Sequence, residues 1–380
     1  MTEENELLDA ACRSRRIEPR WEAAAAEPSW WALRAIQFQA GVRDWADGFR
    51  ASPSATRPFP RMIGGVLDSR DVNAQVFAHL DVFFVLVNSG AFAACEEVFL
   101  RLLCDPGVLP WVGDAAGEDA ARAFPPIAAS VKGRGRVYTG ASAEDLPRDP
   151  VRTLAALWLA RAALDFVTFH EVRHVVAGHV GYNERYGLGV LAEVGGPPVA
   201  PEFALARQAM EMDADAIGVS GVLRTHLDGW ADRSESGPGW HKICPEKGQL
   251  IEALLLSLDV VLLLIGSPSG PAAEWGFDQH PPWVVRRFNA VGTAEEYLKR
   301  RGHQDVARIP GDRGRIQRSF RTVNKIQNEF FGWDVVLDET DKFRSDEGAA
   351  HTEKIFEAWK AIEPELSKSS YVSFAGLRAG

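Results

Sequence analysis

Residues 170 to 174 read His-Glu-Val-Arg-His, and 37 residues past the second histidine the chain reads Glu211-Met212-Asp213-Ala214-Asp215. On a helix, positions i and i+4 share one face, so His170 and His174 can present both imidazoles to one metal ion. Glu171 lies beside the first ligand, close enough to act on a metal-bound water without binding the metal. Two histidines from one helix and one carboxylate of the second run make a three-ligand site. A structural zinc takes four protein ligands, whereas a catalytic zinc takes three and keeps a position for water or substrate. The chemistry implied is zinc-assisted hydrolysis, foremost of a peptide bond.

These residues need helices under them. Residues 151 to 180 contain no proline, and their first glycine is Gly178. Apolar residues recur there with a helical period, which puts HEVRH late in a long helix. A second helix is expected from about 204 to 223. It places Glu211 and Asp215 one turn apart, so that one can reach the metal while the other accepts the second ring N–H of a ligand histidine. His179, five residues past His174, lies about 140° further round a continuous helix and would face away from the metal, in a supporting or structural role.

HExxH followed by a helix carrying E-x-x-A-D resembles the gluzincin zinc metallopeptidases, with wording closest to the CAAX-prenyl-protease and HtpX-like group. The resemblance covers residues 150 to 290. It implies His170, His174 and Glu211 as zinc ligands, Glu171 as general base and Asp215 as the group behind a ligand. His179 matches the HExxHxxxxH continuation, and residues 278 to 286, DQHPPWVVR, match a downstream HPPxxxR element. His280 is read either as a donor to the tetrahedral oxyanion or as a helix-capping histidine ahead of Pro281-Pro282. Arg286 is read as an interior ion-pair partner near Asp215, with substrate orientation as the alternative. The chain departs from the HExGH wording at Arg173, which must clash or find an acidic neighbour. A weaker resemblance is to phage-exclusion peptidases of the Lit type, which act inside the cell on one host protein. The implied fold is α+β, mostly α: a zincin-like core with a long HExxH helix, a second metal helix and a small sheet.

Composition narrows the class. A chain of 380 residues, 46% hydrophobic, can bury a sizeable core. A net charge of −10 argues against nucleic-acid and anionic-membrane partners. Cys12, Cys95, Cys104 and Cys244 follow no disulfide framework, as in a cytoplasmic protein, and His241 to Cys244 lacks the second half of a metal site. The first twenty residues have no apolar core of a signal peptide. Leu250 to Ile265 is apolar but short of the ~20 residues of a membrane span, and it carries Glu252 and Asp259; a buried helix is expected.

Punctuation suggests an N-terminal helical segment (1–65), a catalytic domain (66–300) and a C-terminal helical segment (301–380). Residues 74–88 favour a strand, followed by a helix to about Leu103. Loops are expected at 105–150, 181–200 and 231–248, with Tyr182 and Tyr186 in the second. An edge strand for an extended substrate is sought near 131–138 or 80–88. The basic cluster Arg308 to Lys325 reads as a solvated helix face. The substrate is a protein or peptide. Two other classes stay open: a zinc hydrolase of another amide, and a zincin-like regulatory protein without turnover, against which the intact Glu171 argues.

Overall fold

The computed structural model describes residues 3–21, 30–51, 55–119, 122, 124, 146–192, 200–232, 234, 239–266, 280–330 and 346–374. It is mostly helical, with one small mixed sheet. The sheet holds β1 (Arg61–Leu67), β2 (Ala74–His79), β3 (Val82–Asn88) and β4 (Leu191–Ala192) in the order β1-β3-β2-β4. β1 runs parallel to β3, while β2 runs antiparallel to both β3 and β4. Strand alternation sorts side chains onto two faces. Met62, Val66, Val76, Val85 and Val87 enter the main core, whereas Leu67, Phe77, Phe84 and Leu86 pack under α1 (Glu3–Arg15) with Leu8 and Cys12.

Residues 74–88 are thus a hairpin rather than one strand. Its two turn residues, Leu80 and Asp81, both have positive φ, 49° and 60°. Two-residue hairpins of this hand usually carry Asn-Gly, so the turn left no signal. β3 is interior to the sheet, which removes 80–88 as the edge; the edges are β1 and β4. The other expected edge, 131–138, lies outside the described residues.

Two long helices cross the middle. α4 (Pro150–Val176) starts with Pro at its first turn, and the Asp149 side chain accepts the N–H groups of Val151 (2.6 Å) and Arg152 (3.0 Å). The buried Arg152 guanidinium then gathers the carbonyls of Leu103, Asp105, Val108, Leu109 and Val112, folding the loop after α3 (Ser89–Leu102) around it. Beyond α4, Gly178 with φ +81° breaks the helix and starts α5 (His179–Tyr186), so the expected 181–200 loop holds a short helix and β4. α6 (Pro201–Ala231) is longer than expected at both ends. It lies close against α4 because Gly218 and Gly221 present no side chain; a Cβ there would meet the rings of Phe166 at 2.7 Å and Phe169 at 2.2 Å.

The short α7 (Trp240–Ile243) leads to α8 (Lys247–Ile265), which is long and apolar enough to cross a membrane, yet 83% of its apolar window is buried inside the protein. Its Asp259 is held by Arg287 (2.7 Å), Arg315 (3.3 Å) and Ser319, and its Glu252 by Arg318 (2.7 Å). Arg315 is therefore buried, which corrects the solvated reading of the basic cluster at that residue. α9 (Trp283–Arg300), α10 (Arg313–Lys325), a π-helical turn (Ile326–Phe330) and α11 (Asp346–Ser367) complete the fold. One hydrophobic cluster runs from Phe38 of α2 (Trp30–Arg50) to Phe374, through all three segments of the expected division, and the 65/66 boundary falls inside β1.

Candidate metal centre

Among the described residues, His170, His174 and Glu211 form the group able to hold a metal ion, with one donor atom from each lying within 4.8 Å of the others. α4 supplies the histidines one turn apart, and α6, drawn in by Gly218 and Gly221, supplies the carboxylate. The two Nε2 atoms stand 2.9 Å apart. Glu211 lies 3.2 Å from His170 Nε2 and 3.6 Å from His174 Nε2. Two donors each ~2.1 Å from a tetrahedral ion are about 3.4 Å apart, a value these separations bracket. Two ring nitrogens at 2.9 Å need a shared proton or a shared cation. Glu211 Oε2 is buried and accepts no hydrogen bond among the described residues. The residues fit a divalent cation.

Each histidine is backed on its far nitrogen. His170 Nδ1 lies 3.0 Å from Asp215 Oδ1, and Arg286 grips that carboxylate with two bonds, 2.8 and 2.7 Å. All three side chains are shut from solvent. Burial works to raise the Asp215 pKa, but the Arg286 charge and the hydrogen bonds from Arg286 and His170 overcome it, so the carboxyl is held below its usual range. Arg286 thus forms the interior ion pair with Asp215 that was expected of it.

His174 is backed differently. Its Nδ1 lies 2.9 Å from Nδ1 of His179. The expectation that His179 faces away assumed a continuous helix. The break at Gly178 turns the chain back and brings His179 under its neighbour. His179 Nε2 stands 3.5 Å from Asp213 Oδ2, and Arg173 grips Asp213 with bonds of 2.6 and 3.0 Å. That is the acidic neighbour Arg173 required. Burial pushes both His174 and His179 well below the usual imidazole value; the His170 and His179 rings and the Arg207 and Arg286 guanidiniums add to it for His174, and Arg173, His170 and Arg207 for His179. Neutral rings are what metal ligation requires.

Glu171 is buried on α4, one position past His170 and three before His174. His280 is no helix cap: α9 starts at Trp283 behind Pro282, and His280 Nε2 lies 3.0 Å from the carbonyl of Ala192, tying the chain before α9 to β4. Tyr182 is buried and Tyr186 exposed, their rings 4.6 Å apart on α5. Two residues at the site were missed in the sequence. Asp213 was read only as part of its run. Arg207, fully buried, sits one turn before Glu211 and donates to the Val190 carbonyl at 3.3 Å; its i, i−4 spacing from Glu211 was the available signal. Around the centre four carboxylates (Glu171, Glu211, Asp213, Asp215) face three guanidiniums (Arg173, Arg207, Arg286), so a divalent ion turns one net negative charge into one positive. No family model, curated protein or solved structure matches the chain.

Proposed function

We propose that this chain is a zinc-dependent hydrolase of the HExxH gluzincin type that cleaves peptide bonds of a protein substrate. The observation that carries the reading is the convergence of His170, His174 and Glu211 from two helices onto one point, with Glu171 beside the ligand pair. Three protein ligands leave a position open, as catalytic zinc needs, and two imidazoles with one carboxylate are a catalytic zinc set. When bound, zinc supplies Lewis acidity and a water whose pKa falls toward ~7.

The chain's own residues supply the rest. The Glu171 carboxylate accepts the proton of the attacking water and returns it to the leaving nitrogen. Asp215, gripped by Arg286, keeps the proton of His170 on Nδ1 and so leaves the Nε2 lone pair facing the cluster. His280, with Nε2 committed to Ala192, supports β4 rather than an oxyanion. The small sheet packed against α4 supports a zincin-like core, and β4 offers a sheet edge next to Val190, whose carbonyl Arg207 of α6 holds. The substrate is placed inside the cell, with no nucleic-acid partner. The net charge and four buried cysteines outside any disulfide support this; burial raises the Cys95 and Cys244 thiols to about 12.

The test is to express the wild type and Glu171→Gln side by side, measure bound zinc, and map new protein termini by mass spectrometry. The expected result is one zinc per chain in both and cleavage by the wild type alone. Equal cleavage by both proteins, or no bound divalent metal in the wild type, overturns the reading.

A further inference from the structure

His179, Asp213 and Arg173 form a line behind His174 that the hydrolase reading does not use. Two hydrogen-bonded links and one charge contact, between Asp213 and His179, set the proton positions along it from the far end. Arg173 has only N–H donors, so Asp213 accepts both of its bonds and remains a carboxylate. Asp213 Oδ2 also stands 3.5 Å from His179 Nε2, an electrostatic contact without hydrogen-bond geometry. A carboxylate there favours a proton on Nε2 and disfavours a bare lone pair. A neutral His179 protonated on Nε2 has an acceptor at Nδ1. The only group that acceptor meets at hydrogen-bond distance among the described residues is His174 Nδ1, at 2.9 Å. His174 must then carry its own proton on Nδ1, which leaves the Nε2 lone pair facing Glu211 and His170. In the reverse order His174 Nε2 would carry the proton and could not bind a cation, and two lone pairs would oppose each other at Asp213.

We propose that Arg173, Asp213 and His179 are positioning residues that set the tautomer and orientation of His174 for metal binding, acting through one another in series. The inference rests on the metal-site reading of His170, His174 and Glu211. Arg173 stands where the HExGH wording has glycine, so this support is a feature of this chain. Its packing agrees: the Arg173 guanidinium lies 5.4 Å from the Phe374 ring, and the Trp359 and His179 rings stand nearly perpendicular with centroids 6.3 Å apart. Residues near the C-terminal end of the described chain therefore wall the line.

The experiment measures zinc affinity by chelator competition, and the visible spectrum of the Co2+-loaded protein, for wild type, Asp213→Asn, His179→Phe, Arg173→Gly and Arg173→Lys. Melting of the metal-free proteins is followed in parallel. Asp213→Asn is expected to weaken zinc roughly 10- to 100-fold and to alter the Co2+ spectrum, because partners behind a ligand tune it on that scale. Arg173→Lys should keep more affinity than Arg173→Gly. Residues in series are not additive, so His179→Phe with Asp213→Asn should bind zinc no more weakly than His179→Phe alone, whereas Asp215→Asn with Asp213→Asn should multiply. Unchanged zinc affinity and Co2+ spectrum in Asp213→Asn overturn the proposal while leaving the metal site standing. So does multiplication between His179→Phe and Asp213→Asn, the mark of a merely structural contribution. A wild type that binds neither metal overturns the metal site and this inference together.

Discussion

His170 and His174 are one helical turn apart, but they are held by unlike supports. Behind His170 stands one carboxylate, Asp215, with Arg286 on it, and every atom of that arm is buried among α4, α6 and α9. Behind His174 the carboxylate comes one residue further on, with His179 between, and Asp213 is 16% exposed. The first arm reaches into the part of the molecule where α6 and α9 pack; the second ends against Trp359 and Phe374. The difference teaches that a short arm is enclosed by the helices that carry it, whereas a longer line draws in side chains from further along the chain.

The largest effects should come where the two arms meet. His170→Ala and His174→Ala are each expected to abolish zinc binding, since two ligands cannot hold an open catalytic site. Glu171→Gln should keep zinc and lower hydrolysis by about 10²- to 10⁴-fold, the usual worth of a general base. Metal analysis with turnover checks this; a Glu171→Gln protein that loses zinc would make Glu171 part of the support.

Next comes stability of the metal-free protein. Asp215→Ala strands Arg286 in the interior and should cost about 3–5 kcal/mol. Asp213→Ala leaves Arg173 beside a partly open position that water can enter, and should cost about 1–3 kcal/mol. Urea unfolding of both variants decides the order, and equal losses would erase the distinction between the arms.

Gly178→Ala should touch one arm only. Its φ of +81° disfavours a side chain, and a Cβ would stand 2.6 Å from the backbone of Ser369. The variant should lose about 1–3 kcal/mol and displace His179, leaving the His170 arm in place. Ring resonances of the histidines in the metal-free protein would report this, with those of His174 and His179 shifting and that of His170 holding.

The smallest effect concerns pH. His351 on α11 lies 2.8 Å from Gln208 of α6, and burial, with Lys354 nearby, lowers its pKa to about 4. The folded ring stays neutral while the unfolded one takes a proton below about 6.5, so the unfolded state binds more protons in between. The contribution is full above 6.5 and is lost as pH falls toward 4. Melting of the metal-free protein should fall across that window, less steeply for His351→Gln. Parallel curves would mean that the contact of α11 with α6 is indifferent to acid.

Much of the site was legible because it is local. HEVRH spacing and a proline-free stretch put His170 and His174 on one helix face, and the E-x-x-A-D run puts Glu211 and Asp215 on another, by periodicity alone; the resemblance singled out Glu211 as the candidate ligand. Arg286 stood out through the HPPxxxR wording, with an ion pair near Asp215 as its favoured role. The hairpin at Leu80-Asp81 was not legible, since its residues are not those that tolerate positive φ most readily. The support of His174 was hidden for a related reason. A single backbone turn at Gly178 reverses a helical projection, and the step of about 100° per residue that places His179 on the far face holds only for an unbroken helix.

The sequence by itself therefore determined which side chains share a helix face, because a helix repeats every 3.6 residues whatever surrounds it. Tertiary structure alone decided that α6 approaches α4 closely enough to bring Glu211 within 3.2 Å of His170, that Asp213 answers Arg173, and that His179 returns beneath His174. Those distances depend on how glycine-lined helix faces close together and on one left-handed residue, and neither follows from local periodicity.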